Sequence, residues 1–176
     1  MKLQLFVLAG ALAVLSAPAA QAGPPPPPNF PDFDGFTVET DAHLVPYQRT
    51  AQEVVKFSTP DGLSCGIDAL GGVAPAVRCY GPVPGMTGLP VVADATSTSS
   101  CDFGVAQLHS ANPGVINSHR GVCPTDLAGA ALLAPGQKVS MGPVTCGVAA
   151  GGITACLDNT DGGHGFVLQP SGSWTF

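Results

Sequence analysis

The hydrophobic pattern of the chain changes character twice. From Leu3 to Leu15 it is almost unbroken apolar, interrupted only by Gln4 and Gly10. After Phe36 apolar residues come in short runs, often in alternation with polar ones, as in Phe36, Val38 and Thr40. Alternation with a period of two is the mark of a half-buried strand. Val54-Val55-Lys56-Phe57 predicts a strand, followed by a Thr59-Pro60-Asp61-Gly62 turn whose proline and glycine suit type I. Residues 36 to 55 are ambiguous, with 47–55 read as either a short helix or an extended lead-in. Residues 81–100 read as loop. Phe103 to Leu108, Val115 to Val122, Lys138 to Met141 and Gly165 to Leu168 read as further strands, and Leu127 to Leu133 as about one helical turn. Trp174-Thr175-Phe176 places two aromatics on one face of an extended terminus, which predicts docking onto the sheet.

The first apolar run has the layout of a secretory signal. Lys2 gives the positive start, Pro18 breaks the run, and Ala20-Gln21-Ala22 supplies a small-x-small cleavage site. The run is shorter than the roughly 20 residues a membrane helix needs. Residues 1–22 are therefore predicted to be a Sec-type signal cleaved after Ala22. No twin arginine precedes the run, and the first cysteine, Cys65, is too distant to carry a lipid. The expectation is a secreted protein, extracellular or in the periplasm or cell wall, with no membrane anchor after cleavage.

Residues 23–35 read as a disordered, Pro-rich linker. Pro24 to Pro28, then Asn29-Phe30-Pro31, favour extended polyproline II, a semi-rigid spacer. A ligand for an SH3-like or WW-like groove is the other reading of such a run. Residues 36–176 form a single domain. Loss of residues 1–22 leaves five basic against twelve acidic residues, a net charge of −7. Five scattered cations cannot build the basic stripe that phosphate backbones demand, so nucleic acid is excluded as a partner. Few charges and aromatics, with 23 glycines and 18 prolines in the chain, point to short strands joined by many turns.

The cysteines are Cys65, Cys79, Cys101, Cys123, Cys146 and Cys156. An even count in an exported chain without any CxxC favours disulfides over zinc or redox chemistry. Fifteen pairings exist, and spacing alone does not choose among them. Two segments share a plan, however. Leu63-Ser64-Cys65-Gly66-Ile67 leads through Gly71-Gly72 to Val77-Arg78-Cys79, and Val144-Thr145-Cys146-Gly147-Val148 leads through Gly151-Gly152 to Ile153-Thr154-Ala155-Cys156. Residues equidistant from a hairpin turn face one another closely enough to bridge. That predicts Cys65–Cys79 and Cys146–Cys156, leaving Cys101–Cys123. The fold class expected is mainly β: a small antiparallel domain of short hairpins stapled by three disulfides.

Several motifs together resemble those of a family of small secreted proteins from mycobacteria and related actinobacteria. They are Phe57-x-x-Pro60-x-Gly62-x-x-Cys65-x-Ile67, Val77-Arg78-Cys79, Leu133-x-x-Gly136-x-x-Val139-x-x-Gly142-x-x-Thr145-Cys146, Ile153-Thr154-x-Cys156, Gly163-His164-Gly165-Phe166-x-Leu168 and Trp174-x-Phe176. The resemblance covers roughly residues 54–176. It implies export and a cysteine-stapled fold, and it implies no reaction. An Asp-Gly where that family often has Ser-Gly-Asn, and a Gln-Pro after the final strand, depart from the pattern.

Candidate chemistry is sparse. His43, His109, His119 and His164 show no metal-ligand spacing, so no metal or other cofactor is expected. His164, between glycines, is the most distinctive, with Asp158 or Asp161 as a nearby acid. Asp158-Asn159-Thr160-Asp161-Gly162 lacks the ligand spacing and distal Glu of a calcium loop and reads as an Asx-type turn. No Gly-x-Ser-x-Gly elbow occurs, and six paired cysteines leave no thiol nucleophile. Arg78 and Arg120 are expected to pair with surface acids. The expected function is a non-enzymatic extracellular or cell-envelope module that binds a protein or envelope component. The alternative is a small secreted hydrolase using His164 with Asp158 or Asp161.

Overall fold

A computed structural model describes residues 26–47, 52–68, 75–86, 91–93, 101–109, 112–122, 124, 129–160 and 163–176. The predicted signal 1–22, the Gly71-Gly72 turn, Cys123 and Asp161 lie outside the described residues. The chain forms thirteen strands among these residues: β1 (Thr37–Val38), β2 (Leu44–Pro46), β3 (Glu53–Ser58), β4 (Ser64–Asp68), β5 (Ala76–Gly81), β6 (Val91–Ala93), β7 (Cys101–His109), β8 (Asn112–Gly121), β9 (Gln137–Met141), β10 (Val144–Ala149), β11 (Ile153–Asp158), β12 (His164–Leu168) and β13 (Trp174–Thr175). One helical turn, α1 (Thr40–His43), separates β1 from β2.

The strands make two sheets. Sheet A runs β1-β9-β10-β11-β12-β13, and sheet B runs β2-β3-β4-β5-β7-β8-β6. All neighbours are antiparallel except β1 with β9 and β6 with β8. The inward faces share one core, in which Val55, Phe57, Ile67 and Leu108 of sheet B meet Val139, Val148, Phe166 and Leu168 of sheet A. Leu133, on the crossover between the sheets, is wholly buried in that core and donates its amide to the carbonyl of Ser58 at 2.9 Å.

The shared cysteine plan extends to a repeated meander. In sheet B, Phe57 pairs with Cys65, Cys65 with Cys79, and Cys79 with Ala106. In sheet A, Val139 pairs with Cys146, Cys146 with Cys156, and Cys156 with Phe166. Lys56 opposite Gly66 matches Lys138 opposite Gly147. Each repeat carries one disulfide as an inward rung, Cys65–Cys79 and Cys146–Cys156, with all four cysteines wholly buried. Cys101 is also disulfide-bonded; its expected partner Cys123 is outside the described residues. The second hairpin closes after the Ala149–Ile153 pair, and Gly151 and Gly152 supply the positive φ angles, 81° and 72°, that its turn requires.

Two expectations change, and one open reading takes its extended form. Of residues 47–55, Glu53–Val55 are strand, with Val54 paired to β2 and Val55 paired to both β2 and β4, and both valines buried. Val91–Ala93, inside the expected loop, adds a short parallel strand to the edge of sheet B. The expected linker 23–35 also ends early. From Phe30 the chain lies on the outer face of sheet A, where Phe33 sits over Gly147 and the Lys138 ammonium donates to the Phe33 carbonyl at 2.7 Å. Phe30 meets Phe33 and Phe176 edge-on at 5.0 and 5.6 Å between ring centroids. Phe30, Phe33 and Phe36, spaced three apart, supply the apolar surface that favours this docking.

Candidate functional site

Strand alternation assigns each side chain a face. Cys79 points into the core, so Tyr80 points outward, and Ser64 opposite it does the same. On β7, Ala106 and Leu108 are inward, which sends Phe103 and Val105 outward. Phe103 pairs with His119 across β8, and their rings stack at 5.2 Å and 19°. Tyr80 meets Phe103 edge-on at 6.2 Å. Three half-buried rings thus lie in contact on the outer face of sheet B.

Beside them is a recess of about 330 Å³ lined by residues that include Ser64, Tyr80, Asp102 and Phe103. Its volume is at the low end of small-molecule sites, which span roughly 300–1,000 Å³. Arg120 holds Asp102 in a two-point fork: Nε donates to Oδ1 at 2.6 Å and Nη2 to Oδ2 at 3.0 Å. The hydrogen bonds from Arg120 hold the Asp102 pKa below the ordinary aspartate value. Both side chains are more than half exposed, at 58% and 59%, so the fork positions the carboxylate more than it stabilises the fold. The His119 Nδ1 is buried and has no hydrogen-bond partner.

The candidates from sequence lie elsewhere. Asp158 and His164 face each other across β11 and β12, on the inward side at the rim of the core. Asp158 is wholly buried, and its Oδ1 accepts from both the amide and the hydroxyl of Thr160, at 2.8 and 2.7 Å. This is an Asx-type turn. Asp158 Oδ2 is buried without a partner, and His164 is half-buried. The structure brings these two residues together without a hydrogen bond between them. Asp161 is outside the described residues. His43 is buried and bonds the Lys56 carbonyl through Nδ1 at 3.1 Å, while His109 is exposed. Arg120 has its acid, and Arg78 lies on the outer face of β5. Among the described residues no three His, Cys, Asp or Glu side chains converge as a metal site would need.

Sequence reading missed Tyr80, Phe103 and Asp102. Part of the signal was present: a residue next to an inward cysteine must point outward, which singles out Tyr80. The pairing that brings Phe103 beside it spans β5 and β7, across an intervening loop, and no local pattern encodes it.

Fold and site together define a two-sheet, disulfide-stapled β protein with an aromatic recess on one outer face. No protein-family model, no curated protein and no solved structure matches this chain.

Proposed function

We propose that this is an exported, non-enzymatic binding module that engages a component of the cell envelope, with the recess beside Tyr80 and Phe103 as its ligand surface. One observation carries the reading. The two meanders share a register, yet their outer faces are treated differently. On sheet A the outward residues Ala155, Leu157 and Val167 are buried, with the chain's own Phe33 and Phe176 seated at Gly147 and Gly165 of that face. On sheet B, Tyr80 stands where Leu157 stands in the other repeat, and its neighbours line an open recess. A rigid, half-exposed aromatic surface on a stapled scaffold binds at low entropic cost. Buried disulfides fit an oxidising compartment, and among the described residues no helix is long and apolar enough to cross a membrane.

The test is retention of the purified, oxidised protein by insoluble envelope material of the producing organism. Wild type is expected to sediment with it and Tyr80→Ala to stay in solution. Equal behaviour of the two, or no sedimentation at all, refutes the reading.

The unpartnered Oδ2 of Asp158 opposite His164 favours a second reading, a small hydrolase. Its support is thin, because Thr160 occupies the other oxygen and fixes the carboxylate in a turn. Hydrolysis of an ester or glycoside that vanishes in His164→Ala, with the fold intact, would establish it over the first.

A further inference from the structure

We infer that the recess on sheet B takes a neutral sugar residue of a glycan, with Tyr80 and Phe103 as its apolar floor and Asp102 and Ser64 as its hydrogen-bonding rim. This rests on the binding-module reading and names its ligand class.

The chemistry of the rim selects the class. A pyranose presents one face of C–H groups and a perimeter of hydroxyls. Aromatic faces carry negative quadrupole density and attract weakly positive C–H groups. Tyr80 and Phe103 meet edge-to-face, and Phe103 is backed by the stacked His119 ring. The floor is therefore held in place before any ligand arrives.

Asp102 supplies the second element. Each of its oxygens accepts one hydrogen bond from Arg120. A carboxylate oxygen has a second lone pair, so two acceptor sites remain, fixed in orientation by the fork. Two fixed acceptors side by side match two neighbouring hydroxyl donors. The hydroxyls of Ser64 and Tyr80 both donate and accept, as a hydroxyl-rich ligand requires.

Charge excludes the main competitors. The chain is acidic, with a formal net charge of −6; Asp102 neutralises the Arg120 guanidinium at the recess, and Arg78, on the same outer face, is not among the residues that line it. Phosphate-bearing and strongly anionic ligands meet repulsion there. A volume of about 330 Å³ suits one or two rings of a chain that continues into solvent.

The experiment uses the full mature protein and insoluble cell-wall material in three forms: untreated, periodate-oxidised and protease-treated. Periodate cleaves the carbon–carbon bond between neighbouring hydroxyl-bearing carbons and so opens each sugar ring that keeps two adjacent free hydroxyls, the pair to which the two acceptors of Asp102 are matched. Retention is expected on untreated and protease-treated material and is expected to fall at least tenfold after periodate. Tyr80→Ala, Phe103→Ala and Asp102→Asn should each weaken retention roughly tenfold or more, the loss of about one good contact. Ser64→Phe, which fills the recess without removing any floor contact, should abolish it. Val38→Ser, at an exposed site on β1 of sheet A, should bind as wild type. Thermal unfolding of each variant separates lost binding from lost fold.

Retention that survives periodate but not protease overturns the sugar assignment and leaves a module that binds protein. Retention that survives every recess substitution overturns the recess as the site. No retention on any of the three materials overturns the binding-module reading itself.

Discussion

Gly147 and Gly165 are the residues at which the roof over sheet A is most exacting. A Cβ on Gly147 would stand 2.8 Å from the Phe33 ring, and one on Gly165 would stand 2.5 Å from the backbone carbonyl oxygen of Cys156. The first obstacle is a side chain that can move; the second is backbone that cannot. Gly147→Ala is therefore expected to cost about 1–2 kcal/mol and Gly165→Ala more than about 2 kcal/mol, read from denaturant midpoints. Placing Phe33→Ala beside Gly147→Ala should recover part of the loss, a coupling that a double-mutant cycle measures. Asp102 has a testable sign as well. Its folded-state pKa is depressed, so what the ion pair adds is present above the ordinary aspartate range and is lost as pH falls through the lower folded value. An NMR titration should place the Asp102 midpoint below that of an exposed aspartate, and Arg120→Ala should move it up. The sequence placed both glycines in strands, but nothing there showed that their outer side is covered, since the Phe33 ring over Gly147 comes from a distant part of the chain.

At the scale of elements, the two cysteine hairpins are the most legible part of the protein. The cysteines close segments of 14 and 10 residues, and antiparallel pairing in register brings Cys65 opposite Cys79 and Cys146 opposite Cys156. Constraining loops of that size adds roughly 3 kcal/mol each. Replacing Cys146 and Cys156 together by alanine also leaves a void in a packed core, so about 3–5 kcal/mol is the expected loss. Access should order the bridges. Cys65, Cys79, Cys146 and Cys156 are wholly buried, whereas Cys101 is half-buried. Under native conditions with a thiol reductant, mass-mapped alkylation is expected at Cys101 first and at the other four only once denaturant opens the core. The strand at Val91–Ala93 was not legible. Three residues at a sheet edge carry too short a pattern to rise above loop, and their pairing with β8 is long-range.

For the whole molecule, the segment from Phe30 to Phe36 decides whether sheet A has one buried face or two. A chain beginning at Val38 would lose the Phe33 ring over Gly147, which pairs with the wholly buried Ala155, and the Phe30 ring against Phe176. At about 25 cal/mol per Å² of apolar surface, the loss is on the order of 2–4 kcal/mol. For a domain of this size that lowers Tm by roughly 5–15 °C, and dye binding to the bared face should rise in parallel. Composition and alternation alone determined that the chain is β-rich and cross-linked, because a period of two and a turn between paired cysteines are local properties. They also determined which side of each hairpin is inward, since a buried disulfide sets the parity of its neighbours. Only the tertiary structure decided that the two hairpins belong to matching meanders facing each other across one core. It likewise decided that the segment from Phe30 to Phe36 packs on one sheet while Tyr80, Phe103 and Asp102 line a recess on the other. Those outcomes depend on which surfaces a strand finds after the chain has closed loops of many residues, and no residue's neighbours in sequence carry that information.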